Sequence, residues 1–248
     1  MLLHTASLIK EFDPKAALNI TSEWLERFET FMIDRGLSVN GRSIHLRNIR
    51  TVFNQARKDG MTKEYPFLNF KIKNEKTEIK NLDSQQLKAL KEYKGVYTDM
   101  FFLSLYLAGM NMGDLLLCEK LTNGRMIYRR KKTNTLINIP VHPKALELIE
   151  KYKGKKRLLN IMETNKEYIW FVQKMNKQLK KTGVYEGISS YSARYTFASI
   201  AAELDVSRDI IAACLGHSWA DVTSRYIAYS QKQIDDAVKK VGDFVGKL

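Results

Sequence analysis

The 248-residue chain has only two cysteines, Cys118 and Cys214, and both fall in apolar helical patterns. That placement excludes a disulfide-stapled scaffold and reads as two structural thiols in a reducing cytoplasm. No apolar run approaches the roughly 20 residues that cross a bilayer, so a membrane span is excluded. The opening MLLHTASLIKEFDPK lacks a basic lead and a long apolar run, so no secretory signal is expected. Four histidines and the two cysteines are scattered without ligand spacing, and no glycine-rich phosphate loop occurs. Neither a metal nor another cofactor is therefore expected. Internal repeats and low-complexity segments are missing too. Acid is in short supply: 27 Asp and Glu stand against 41 Lys and Arg, a net charge of +14. Such an excess attracts polyanions, of which nucleic acid is the commonest.

What is present is the makeup of a globular protein, 44% hydrophobic and 27% charged, long enough for two ordinary domains. Residues 1 to about 18 read as a partly ordered lead-in. A helix is expected from Thr21, with Thr21 or Ser22 as cap, Trp24, Leu25, Phe28, Phe31 and Met32 on one stripe, and Gly36 as stop. A second runs from about Gly41 to Lys58. Its apolar side is Ile44, Ile49, Val52, Phe53 and Ala56, and its other side carries Ser43, Arg47, Arg50, Asn54 and Arg57. That polar stripe suits either a phosphate backbone and major groove or plain solvent.

The stretch KIKNEKTEIKN, residues 71–81, is polar enough to be an extended connection between domains. Beyond it, Asp83 and Gln86 form a capping box, and MFFLSLYLA (100–108) predicts a helix buried on all sides. Strands are expected at Arg125–Arg130 and Leu136–Pro140, joined by Lys131-Lys132-Thr133-Asn134. Residues 121–160 hold eleven basic side chains against Glu147 and Glu150, which favours contact with DNA. Helices follow at Pro143–Tyr152 and Thr164–Lys181.

The chain is organised around Ser189–Tyr229. Phe197, Ile200, Ala201 and Leu204, then Ile210, Ile211, Cys214 and Leu215, recur at helical spacing. Asp205-Val206-Ser207 breaks the run, and Ser207 can cap the second helix. Arg194, His217 and Tyr226 are thus hung on successive short helices where one pocket can collect them. Tyr191-Ser192-Ala193-Arg194, Leu215-Gly216-His217 and Tyr226 resemble the H-x-x-R, L-G-H and tyrosine signature of the tyrosine recombinases, or phage integrase family. Integrases of conjugative transposons and other mobile elements are similar.

The resemblance implies a mostly α fold with a small antiparallel β-sheet: a helical, SAM-like core-binding domain at 1–75, a linker at 76–81 and a catalytic domain at 82–248. It implies a clamp around double-stranded DNA and cleavage through a 3′-phosphotyrosyl intermediate, to integrate or excise a mobile element. Tyr226 is then the nucleophile, with Tyr229 as the competing hydroxyl. Arg194 and His217 meet the phosphate, and Lys132 is the general acid, with Lys131 its near rival. Arg130 and Lys131 join the polar stripe as DNA contacts. Two positions depart from the family pattern. Asn111 stands where an arginine contacts the scissile phosphate, and Tyr191 where a histidine is usual. Asparagine brings no charge, and a tyrosine with a pKa of about 10 is a poor base.

A catalytically silent DNA-binding protein and a type IB topoisomerase-like enzyme are the competing readings. The family further implies a tetramer on DNA from largely monomeric free protein, with accessory DNA-bending proteins, in a bacterial cytoplasm. The chain is too short for a further arm-binding domain, so a short or truncated member is expected. In the tail, Ile234, Val238, Val241 and Val245 make one apolar stripe, which docks either on its own domain or on a neighbouring protomer.

Overall fold

The computed structural model describes residues 2–16, 20–165, 167–217 and 230–248, which divide into two compact units at Glu78/Ile79. The first unit packs α1 (Leu2–Phe12), α2 (Ser22–Asp34) and α3 (Val39–Lys58) around an aromatic-rich core. Thr21 caps α2 by accepting from the Trp24 amide, and the chain leaves that helix through Gly36 at φ +74°. Trp24 stacks on Phe28 at 4.9 Å, Phe12 meets the Trp24 ring edge-on, and the indole donates to Asp13.

Two expectations are corrected here. The lead-in is a helix, α1, held by contacts remote in sequence: Leu8 enters the core, and the Thr5 hydroxyl meets His45 Nδ1 at 2.9 Å and accepts from Asn48 at 2.8 Å. On α3 the buried stripe is Ser43, His45, Leu46, Ile49, Phe53 and Ala56. Ile44 and Val52 lie outside that stripe and are exposed, so they do not belong to the core face. Ser43, expected on the outward polar stripe, is fully buried and donates to the Asn40 carbonyl. Arg47, Arg50, Asn54 and Arg57 are exposed.

No helix or strand occurs from residue 71 to 83. The second unit then opens with α4 (Ser84–Glu92), whose Asp83–Gln86 capping box is formed on both sides. Its centre is α5 (Val96–Tyr106), in which every residue from Met100 to Tyr106 is buried. A helix apolar all round needs neighbours on all sides. It has them in α7 (Pro143–Lys151), α9 (Tyr168–Lys181), α10 (Ser192–Glu203) and α12 (Gln231–Lys247). The short α6 (Met112–Leu117) follows α5. The hairpin of β1 (Arg125–Arg129) and β2 (Leu136–Pro140) pairs antiparallel, with Met126 opposite Ile139. Met126, Ile137 and Ile139 fill its buried face.

The helix expected over Thr164–Lys181 is two: α8 (Ile161–Thr164), then α9 after a break. Asp205 at φ +58° turns the chain out of α10, and Ser207 caps α11 (Arg208–Leu215). In α12, Val238, Val241 and Val245 face inward, and the helix packs on α5, α10, α11 and β2 of its own unit. The fold is mostly helical with one small antiparallel sheet.

Candidate active site

Arg194 sits in the first turn of α10 and is 4% exposed. Its guanidinium reaches in two directions, donating to the Gly109 carbonyl at 3.2 Å and to the Leu215 carbonyl. Gly109 is at φ +64°, and any side chain there would run into the Arg194 backbone. The glycine thus lets the loop after α5 close over the foot of the arginine.

The other wall is the β-hairpin. Arg130, just past β1, is 6% exposed and donates to the Gly216 carbonyl at 3.2 Å, and the Thr133 hydroxyl donates to the same oxygen at 3.3 Å. Gly216 ends α11 in the left-handed conformation at φ +62°, and a side chain there would collide with Ile137. The left-handed backbone favours glycine before His217, and the missing side chain leaves room for Ile137.

Among the described residues no carboxylate comes within ion-pair distance of Arg130 or Arg194. Burial, and then the charge of Arg130, lowers the pKa of the Arg194 guanidinium. Burial likewise lowers the pKa of His217, helped by Arg194, Arg130 and Lys132. Charges kept from water without a partner are costly, and this corner holds two. It favours an anion.

The other candidate residues fall around this corner or away from it. Lys132 is exposed on the hairpin turn and is among the cations acting on His217. The Lys131 amide donates to Asp114 at 3.2 Å, and its ammonium lies 5.7 Å from the centre of the Tyr168 ring. Asn111 is the N-cap of α6, its side-chain oxygen accepting from the Gly113 amide at 2.9 Å. That is a task an arginine cannot perform. Tyr191 precedes α10 and meets Tyr195 edge-on at 5.1 Å. Asn111, Tyr191, Gly109 and Arg194 line a pit with room for about one water, roughly 10 Å³. Tyr226 and Tyr229 lie outside the described residues. Arg47, Arg50, Asn54 and Arg57 belong to the other unit.

Arg130, expected as a DNA contact, is an inward-facing part of this corner. Period-two alternation carried the signal, because Met126, Tyr128 and Arg130 share one face of β1 and its extension. The corner's two backbone-limited glycines and Thr133 also went unassigned.

A model of the phage integrase family matches residues 80–233, and one of the phage integrase SAM-like domain matches residues 3–72. The chain belongs to the phage integrase family, the tyrosine recombinases. A lambda integrase dimer bound to a COC′ core site is similar at a TM-score of 0.72 and 18% identity, over 95% of this chain and 70% of that one. A lambda integrase tetramer bound to a Holliday junction gives 0.70 and 17%, over 95% and 71%. A Tn1549 transposon integrase fragment with circular intermediate DNA gives 0.62 and 16%, over 87% and 83%. At such identities the likeness establishes this recombinase's fold. No curated protein matches the chain.

Proposed function

We propose that this tyrosine recombinase cuts and rejoins double-stranded DNA through a 3′-phosphotyrosine on Tyr226, to integrate or excise a mobile element. The supporting observation is the convergence of buried Arg194 and Arg130, neither ion-paired among the described residues, beside His217. Attack on a phosphodiester spreads negative charge over the equatorial oxygens, and fixed donors that need no reorganisation stabilise it most. Arg194 offers a planar fork to two oxygens. His217 donates one hydrogen bond. Arg130 supplies the positive charge that Asn111 lacks, so a pocket without the usual arginine still holds two guanidiniums. Lys132, on its exposed turn, protonates the departing 5′ oxygen. The bond energy stays in the phosphotyrosine until a 5′ hydroxyl reverses the step, so no nucleotide is consumed.

In the same reading, the helical unit at 1–75 and the catalytic unit at 82–248, joined through 76–81, close on the duplex. Arg47, Arg50, Asn54 and Arg57 form the outward row of α3 that meets the phosphates. Four protomers assemble on paired sites from free monomers, with DNA-bending proteins assisting, in a bacterial cytoplasm. A duplex nicked near the cleavage site tests the chemistry, because loss of the short 5′ fragment traps the adduct. The wild type should accumulate an SDS-resistant protein–DNA complex, Tyr226→Phe should form none while still binding DNA, and Tyr229→Phe should still form it. The reverse pattern would move the nucleophile to Tyr229. No adduct with any variant would leave a silent DNA-binding protein.

A further inference from the structure

Gly216 at the end of α11 and Gln231 and Asp235 at the start of α12 are fastened to one β-hairpin. At the first end, the Gly216 carbonyl accepts from Arg130 and Thr133 while Ile137 packs against Gly216. At the second, Arg125 on β1 grips α12. Its two terminal nitrogens donate to Asp235 at 2.8 and 2.7 Å, and its Nε donates to the Asn138 side chain on β2 at 2.6 Å. Gln231 closes the ring, one amide nitrogen donating to Asp235 and to the Asn138 carbonyl, each at 2.8 Å. Ser230 caps the helix in a complete capping box with Gln233, so the first turn of α12 is rigid where it meets this network.

We propose that Arg125 and Asp235 are positioning residues for the nucleophile, fixing where the chain re-enters the fold after the tyrosine. This rests on the reading of Tyr226 as that nucleophile. Tyr226 is four residues from Ser230, and four residues span at most about 14 Å. The position of Ser230 therefore bounds where the hydroxyl can reach. The fork geometry matters, because two parallel hydrogen bonds fix direction as well as distance. The pair is about a quarter exposed, at 26% and 30%, so it adds little to stability. Its value lies in geometry. The hairpin that holds the network also carries Lys132, so the general acid and the anchor of α12 share one element.

The test is single-turnover cleavage of the nicked duplex, run beside half-site affinity and thermal unfolding. Arg125→Ala and Asp235→Ala should each slow adduct formation by about tenfold, since a misplacement near 1 Å costs one to two decades. The double variant should be no slower than the worse single one, because both remove the same contact. Half-site affinity should stay within about twofold, and Arg125→Lys should recover only part of the rate, because an ammonium lacks the fork. Lys239→Ala, which breaks an exposed pair elsewhere on α12, should cleave like the wild type. A substrate with sulfur as the departing 5′ atom needs no general acid. It should rescue Lys132→Ala and leave Arg125→Ala slow; rescue of Arg125→Ala would overturn the assignment by placing the defect on the lysine. Full-rate cleavage by Arg125→Ala, with Tyr226→Phe inactive, would overturn this inference alone. Cleavage that survives in Tyr226→Phe would overturn it together with the reading beneath it.

Discussion

The most deeply set arginines of the two units are used in opposite ways. In the first, Arg42 is nearly buried at 12% side-chain exposure, and Glu29, itself 14% exposed, lies 3.7 Å away to balance it. In the second, Arg130 and Arg194 are buried further, donate to backbone carbonyls, and have no carboxylate within ion-pair distance among the described residues. A structural cation is stabilised by a partner carboxylate. A cation kept for a phosphate must not have one, and the fold bears the cost of desolvating it. On the proposed reading, the difference separates buried arginines kept for an incoming phosphate from one spent on the fold itself.

The sharpest way to break this contrast is a mirrored pair of substitutions. Arg194→Met should lower the cleavage rate by two to three decades while leaving the unfolding midpoint unchanged or raised, because it removes a buried unpaired charge. Glu29→Gln should do the reverse. It should cost about 2 kcal/mol of stability by stranding Arg42, and leave the cleavage rate of folded protein intact. Calorimetry and single-turnover kinetics on both variants check this. Loss of stability in Arg194→Met without loss of rate would make that arginine structural after all.

A smaller effect is expected from pH. Arg194, Arg130, Lys132 and burial hold the pKa of free His217 below 6.5. A phosphate in the corner would oppose that shift and raise it. The histidine then takes up a proton on binding, so affinity should rise as pH falls from about 7.5 toward 5.5, by less than tenfold. His217→Gln should flatten that rise in a titration of half-site binding. The smallest effect belongs to the first unit. Arg50→Ala on the exposed row of α3 should weaken binding severalfold and reduce the salt slope by about one, with the rate at saturating DNA unchanged.

The parts of the fold legible in the sequence were those with local causes. The capping box at Asp83, the caps at Thr21 and Ser207, the wholly buried α5 and the span of β2 all follow from residues within a turn or two. Arg194 and the Leu215-Gly216-His217 corner were legible as motif positions. What the sequence hid depends on distant partners. The α1 helix is held through His45 and Asn48, some forty residues away. Ser43, Ile44 and Val52 were misassigned because of the phase of α3, which turns Ser43 inward, its hydroxyl on the nearby Asn40 carbonyl, and leaves the other two outside. Arg130 was expected as a DNA contact, and its burial follows from its alternation with Met126. Asn111 looked like a loss when compared with an arginine, yet as a cap it is a gain for α6.

The central claim is that Arg130 supplies the charge for which Asn111 leaves a gap, and single-turnover cleavage of the nicked duplex by Arg130→Ala tests it most directly. With DNA saturating, the account predicts a loss of about two decades or more in the rate of adduct formation, and half-site affinity within threefold of wild type. A rate within threefold of wild type, measured on folded protein, would contradict it.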